Sequence, residues 1–198
     1  MICHEFKGGI GTASRVLPAE QGSWTVGAFV QANHGQRRDL RVDGYPVGRV
    51  LLDLPTPFDQ QDTPGMGSIV VVLATDAPLL PHQCQRLAQR AALGIARTGG
   101  GTDDSSGDIF LAFSTGNTGL APADYNRRDL PMTAQVAMVN NDHISPLFAA
   151  AAEAVEEAIV NAILAGRTMQ AEDGREVPGL QGKRLLTALE QVGWKAQG

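Results

Sequence analysis

The sequence predicts an α+β domain in which a sheet is covered by helices gathered into two groups. Three observations carry this. Strand-like runs precede residue 78 and recur between 108 and 139. Helical spacing fills about 78–97 and most of the last third. Strands and helices do not alternate strictly, which argues against a doubly wound parallel sheet. With 198 residues, 43% hydrophobic and 19% charged, the chain suits one domain with a real core.

The elements follow in order. Lys7-Gly8-Gly9-Ile10-Gly11-Thr12 reads as a tight glycine-rich turn. It lacks the Gly-Lys-Ser/Thr ending of a phosphate-binding loop. Ser23 to Asn33 reads as a strand with Trp24, Val26, Ala28 and Val30 on one face. Tyr45 to Asp53 is a shorter strand candidate. Pro55 to Gly67, with three prolines and two glycines, is a long loop. Ser68 to Ala77 is β-branched and continuously apolar, the pattern of a strand covered on both faces.

Pro78-Leu79-Leu80-Pro81 then opens a helix, with Cys84, Leu87, Ala88, Ala91 and Ile95 at helical spacing, and Thr98-Gly99-Gly100-Gly101 stops it. Asp108 to Ser114 and Thr133 to Val139 are two more strands. Ser145-Pro146 caps and starts a long helix to about Gly166, and Gly182 to Val192 forms the last helix. Glu153, Glu156 and Glu157 mark an exposed face of the long helix, and Asn140-Asn141-Asp142-His143 a turn before it.

Composition excludes several classes. A net charge of −5 offers no basic field for nucleic acid or an anionic membrane. The longest apolar run, Ile69 to Ala74, is far below the roughly 20 residues that span a bilayer. Cys3 and Cys84 cannot make a disulfide framework. His4, His34, His82 and His143 with these cysteines lack paired zinc-ligand spacing, and only His82-x-Cys84 comes close. They read as core or surface residues, and no metal or organic cofactor is expected. Met1 to Lys7 has neither the basic nor the apolar region of a leader, so the expected compartment is the cytoplasm. Structured-looking sequence begins almost at once, which suggests that Met1 is not the start of the full polypeptide.

The junction Gly67-Ser68 is the chemically informative point. A chain cut there exposes Ser68 as an N-terminus whose α-amine, with a pKa near 8, can take the proton of its own hydroxyl. Glycine before serine allows the strained backbone in which Oγ reaches the preceding carbonyl. On these residues alone, a plain loop-to-strand boundary is the favoured reading.

Further residues join the junction. The run Gly67 to Pro81, the segments Cys3 to Arg15 and Val30 to Gly35, the run Ser106 to Thr115 and the helix around Glu156 to Asn161 together resemble the L-aminopeptidase/D-esterase family, which includes the β-peptidyl aminopeptidases. These are self-cleaving N-terminal-serine hydrolases. The resemblance implies that Ser68 is the nucleophile and that cleavage after Gly67 gives residues 1–67 as the tail of an α piece and 68–198 as a β piece. It implies that Asn33 stabilises the oxyanion, and that Ser106 and the acidic Asp108 lie near the nucleophile. Some relatives carry glutamate where this chain has the shorter aspartate.

It further implies a four-layer α/β/β/α sandwich, here incomplete because family members are nearly twice as long. Expected partners are a short peptide, amide or ester and other copies of the αβ unit, in a homo-oligomer expected to be a tetramer. Two alternatives stand beside this reading. One is an acyltransferase of the ornithine acetyltransferase type, against which serine rather than threonine at position 68 counts. The other is a non-catalytic truncated subunit or binding module.

Overall fold

A computed structural model describes residues 1–58, 67–102, 104–120 and 131–196. Most of the predicted loop between Pro55 and Gly67, together with Asp103, lies outside the described residues. The chain opens with a small hairpin, β1 (Ile2–Cys3) and β2 (Phe6–Lys7), whose two-residue turn places His4 and Glu5 at positive φ of 49° and 62°. Such turns match the twist of the strands they join, but they strain side chains other than glycine.

The central sheet comprises β3 (Gly9–Val16), β4 (Thr25–Asn33), β5 (Ser68–Thr75) and β6 (Ile109–Ser114) in that order. The first three are antiparallel neighbours, and β6 runs parallel to β5. A parallel pair needs a crossover. Here α1 (Pro81–Ala88) and α2 (Ala91–Arg97) supply it. The fold is α+β, as the sequence predicts.

One face of the sheet is the core. Val26, Ala28, Val30, Ala32, Ile69, Val71 and Leu73 are all buried on it, and each large aliphatic side chain so buried stabilises by roughly 1.5–3 kcal/mol. Over β3 and β4 the covering element is α3 (Ser145–Ala165), which buries Leu147, Ala151, Ala154, Val155, Ala158, Ile159 and Ala162 at three- and four-residue spacing, while α1 packs on β5 and β6. Its alanines let it lie close. A Cβ on Gly11 of β3 would stand 1.9 Å from the carbonyl oxygen of Ala158, so glycine at 11 permits the contact between helix and strand. The last helix, α4 (Gly182–Gln191), follows a hairpin of β7 (Met169–Gln170) and β8 (Glu176–Val177).

Five expectations are corrected. Gly9 to Thr12 belongs to β3 rather than to a tight turn, because its glycine serves a close approach. Tyr45 to Asp53 is no strand: Val47–Val50 is a short 3-10 helix whose Gly48 N–H donates to the Leu40 carbonyl at 3.0 Å. The expected single helix over 78–97 begins at Pro81 and breaks at Gln89–Arg90, where Arg90 N–H bonds the carbonyl three residues back, on Leu87. Thr133 to Val139 forms no strand, and residues 131–138 are exposed with no ladder to any described strand. Ile144 rather than Ser145 sits at the N-cap of α3, after a 3-10 turn over Asn141–His143.

In the acidic cluster of α3, Glu153 and Glu157 are exposed as expected and Glu156 is half-buried, and all three are paired. Arg15 reaches Glu153 at 3.2 Å and also Glu157, while Arg97 reaches Glu156 at 3.3 Å.

Candidate active site

The second face of the sheet is open, and the candidate residues stand at its edge. In the antiparallel register Asn33, the last residue of β4, is opposite Ser68, the first of β5. Directly opposed residues project to the same side of the sheet, with Cβ atoms typically about 5 Å apart. Alternation puts both side chains on the side of Phe29, Val70 and Val72, away from α3.

Each partner is held. The Ile2 backbone N–H donates to Asn33 Oδ1 at 2.8 Å. A carboxamide whose oxygen is engaged in this way has its orientation fixed, with the NH2 group left to donate elsewhere. Ser68 Oγ accepts the Gly107 backbone N–H at 3.2 Å. Asp108 Oδ1 accepts the Ser106 hydroxyl at 2.6 Å and the Ile69 backbone N–H at 3.1 Å. The carboxylate therefore ties the loop before β6 to the residue following the serine. Ser106 enters the site through Asp108.

Gly67 is pressed against the same place. A Cβ there would stand 2.6 Å from the Asn33 carbonyl oxygen and 2.9 Å from the His34 Cα. Only glycine fits, so the backbone before Ser68 lies close against the end of β4. All four residues singled out in the sequence (Ser68, Asn33, Ser106 and Asp108) are brought to one end of the β4–β5–β6 ladder.

The chain matches Peptidase family S58 over residues 1–177. It belongs to peptidase family S58. The β-peptidyl aminopeptidase BapA of Sphingosinicella microcystinivorans is 43% identical over 96% of this chain and 49% of that protein. Its namesake from Sphingosinicella xenopeptidilytica is 38% identical over 96% of this chain and 48% of that protein. Among solved structures, a Burkholderia sp. β-aminopeptidase superposes with a TM-score of 0.91 at 65% identity, over 99% of this chain and 52% of that one. The L-aminopeptidase D-Ala-esterase/amidase of Ochrobactrum anthropi, described as a prototype serine aminopeptidase and a variant of the Ntn-hydrolase fold, gives 0.85 at 45% identity, over 99% of this chain and 51% of that one. The S58 chain thus spans about half the length of the relatives it matches.

Sequence reasoning missed the hairpin that pins the asparagine. Its signal was faint, since strands of two residues carry almost no periodicity. It also missed that Cys3, His4 and His34 converge in the interior, one ligand-capable atom from each within 4.8 Å of the others. By contrast His82 is exposed on α1 and Cys84 half-buried, and among the described residues that spacing is not gathered into a cluster. His143 is exposed.

Arg37 also went unnoticed in the sequence. Buried to 2% exposure, it lies 4.5 Å from the Phe6 ring centroid and donates to the carbonyls of Leu54 and Pro55 at 2.5 and 2.7 Å. It anchors the chain where it enters the segment leading to Gly67.

Proposed function

We propose that this chain carries the nucleophile half of an N-terminal-serine aminopeptidase acting on short peptides, amides or esters. The observation that carries the reading is the register of Asn33 against Ser68, with Gly67 held at the same point. In the maturation step Ser68 Oγ attacks the Gly67 carbonyl carbon, the C–N bond breaks as the acyl group shifts from nitrogen to oxygen, and water hydrolyses the resulting ester. Residues 1–67 and 68–198 are the products, and the α-amine of Ser68 is free.

In turnover that amine takes the hydroxyl proton as Oγ attacks the substrate carbonyl, and returns it to the leaving amine or alcohol. Asn33 Nδ2 donates to the developing oxyanion. The loss of one such donor costs about 3–4 kcal/mol in known cases. Asp108 holds Ile69 and Ser106 in place, and its negative charge favours the ammonium form that arises during attack. Water then releases the acyl group from Ser68.

Assembly belongs to the same proposal. The open sheet face suits a second sheet, so a four-layer α/β/β/α sandwich forms when it is covered by the part of the S58 fold that this chain does not span. Homo-oligomers of αβ units, with a tetramer as the expected size, complete the reading. A cytoplasmic location is supported by two free thiols, Cys3 and Cys84. No helix among the described residues is long and apolar enough to cross a membrane.

Ser68→Ala tests the proposal, because it should abolish both self-cleavage and acyl transfer. Peptidase activity retained in that variant would remove Ser68 as nucleophile.

A further inference from the structure

The hairpin that pins Asn33 contains a cluster that the hydrolytic mechanism does not use. Cys3 and His4 are fully buried, and His34, next to Asn33, is 5% exposed. Cys3 Sγ lies 4.0 Å from His34 Nδ1. The His4 and His34 rings meet edge-on with centroids 5.3 Å apart.

The tautomer of His4 follows from its neighbour. His4 Nδ1 is 2.9 Å from the Gln36 carbonyl oxygen, which can only accept, so Nδ1 carries the proton and Nε2 presents a bare lone pair. That Nε2 has no hydrogen-bond partner and no access to water, and neither has Nε2 of His34. Two orphaned imidazole nitrogens beside a thiol are unusual in a closed interior. An imidazole whose Nδ1–H is held by a backbone carbonyl is the arrangement that orients a histidine for metal ligation.

We propose that Cys3, His4 and His34 bind a single thiophilic d10 cation, Zn(II) or Cu(I), at the buried root of the β1–β2 hairpin. With metal–sulfur and metal–nitrogen distances of roughly 2.3 and 2.0 Å, neighbouring ligand atoms stand about 3.3–3.7 Å apart; Cys3 Sγ and His34 Nδ1 at 4.0 Å, and the three ligand atoms within 4.8 Å of one another, reach this by a small inward shift of the side chains. Thiolate with imidazole selects these cations over hard ones.

The entering cation displaces the thiol proton, so binding releases it and strengthens as pH rises. The bound cation would also hold His4 and Glu5 in their strained turn and fix Ile2 against Asn33. The site is independent of the nucleophile assignment and stands or falls separately.

Metal content decides. The purified protein, stripped with a chelator, is titrated with Zn(II) and, under reducing conditions, with Cu(I). One cation per chain is expected, with a raised thermal midpoint, and the cation that survives competition with a calibrated chelator identifies the source. Co(II) substitution should give a thiolate charge-transfer band in the near ultraviolet. Cys3→Ser should lose that band, His34→Gln should weaken uptake at least tenfold, and Cys84→Ser should change neither. X-ray absorption of the loaded wild-type protein, which needs no variant to fold, should show one sulfur and two nitrogen ligands. Failure of the wild-type protein to take up either cation stoichiometrically, or a bound cation without sulfur ligation, overturns the proposal.

Discussion

The two faces of the central sheet are built by the same four strands and do opposite things. On one face Val26 and Val30 of β4 vanish under the alanine-rich α3, and Val71 and Leu73 of β5 are buried beside them, where α1 packs. On the other, Ile109, Leu111 and Phe113 of β6 stand 61%, 57% and 46% exposed, and Ser68 and Asn33 occupy the edge. The difference teaches that the strand period of two divides stability from chemistry. Residues 69, 71 and 73 hold the fold together, while 68, 70 and 72 face the side where a reaction can occur. The apolar character of the open face is more than a solvated sheet requires, and in our reading a second layer covers it.

That division can be broken experimentally, and Ser68→Ala has the largest expected effect. Self-cleavage and turnover should disappear while the thermal midpoint stays within a few degrees, read by gel and by calorimetry. Substitutions on the helix face should do the reverse. Leu73→Ala should lower the unfolding free energy by about 2–5 kcal/mol, and Gly11→Val should cost about 3 kcal/mol by driving a side chain into the Ala158 carbonyl. Denaturant titration checks both. Asn33→Ala should reduce kcat by about 10²–10³ with the fold kept. Unchanged kinetics would take it out of the oxyanion site.

A smaller effect follows from the buried histidines. Burial lowers His34 from 6.5 to about 3, with His4 contributing repulsion, and lowers His4 as well. Below pH 6.5 the unfolded chain takes up protons that the folded chain refuses, so stability falls as pH drops from 6.5 towards 3. The slope is about 1.4 kcal/mol per pH unit for each histidine so held. A His34→Gln variant should show a flatter acid limb in pH-dependent denaturation.

The smallest effect belongs to the open face. Leu111→Ser should change the stability of this chain by no more than about 0.5 kcal/mol. The same substitution in a full-length relative should cost several times more if a second sheet lies there.

What was legible in the sequence follows the same division. The buried alternation of β4, the apolar run of β5 and the spacing of α3 were readable because each buries one face at a regular period. The β5 run suggested cover on both sides, yet Val70, Val72 and Ala74 are only half-buried. The segment 133–139 has a strand-like composition but gains no ladder. Composition registers the propensity for pairing, and pairing itself needs a partner strand.

The glycines of Lys7 to Thr12 read as a turn because sequence alone does not separate a glycine needed for conformation from one needed for contact. Gly11 is of the second kind. The candidate quartet of Ser68, Asn33, Ser106 and Asp108 was legible through family resemblance, and the Gly67-Ser68 junction also on chemical grounds. The cluster of Cys3, His4 and His34 was not, since about thirty residues separate His34 from the other two, and the hairpin's contact with the chain just after β4, where His4 N–H donates to the His34 carbonyl at 2.8 Å, brings them together.

N-terminal sequencing, with mass spectrometry, of the mature and catalytically working protein tests the central claim most directly. The account predicts a chain that begins Ser-Ile-Val-Val, at residue 68, accompanied by a second chain ending at Gly67. A protein that turns over substrate with the Gly67–Ser68 bond intact would contradict it.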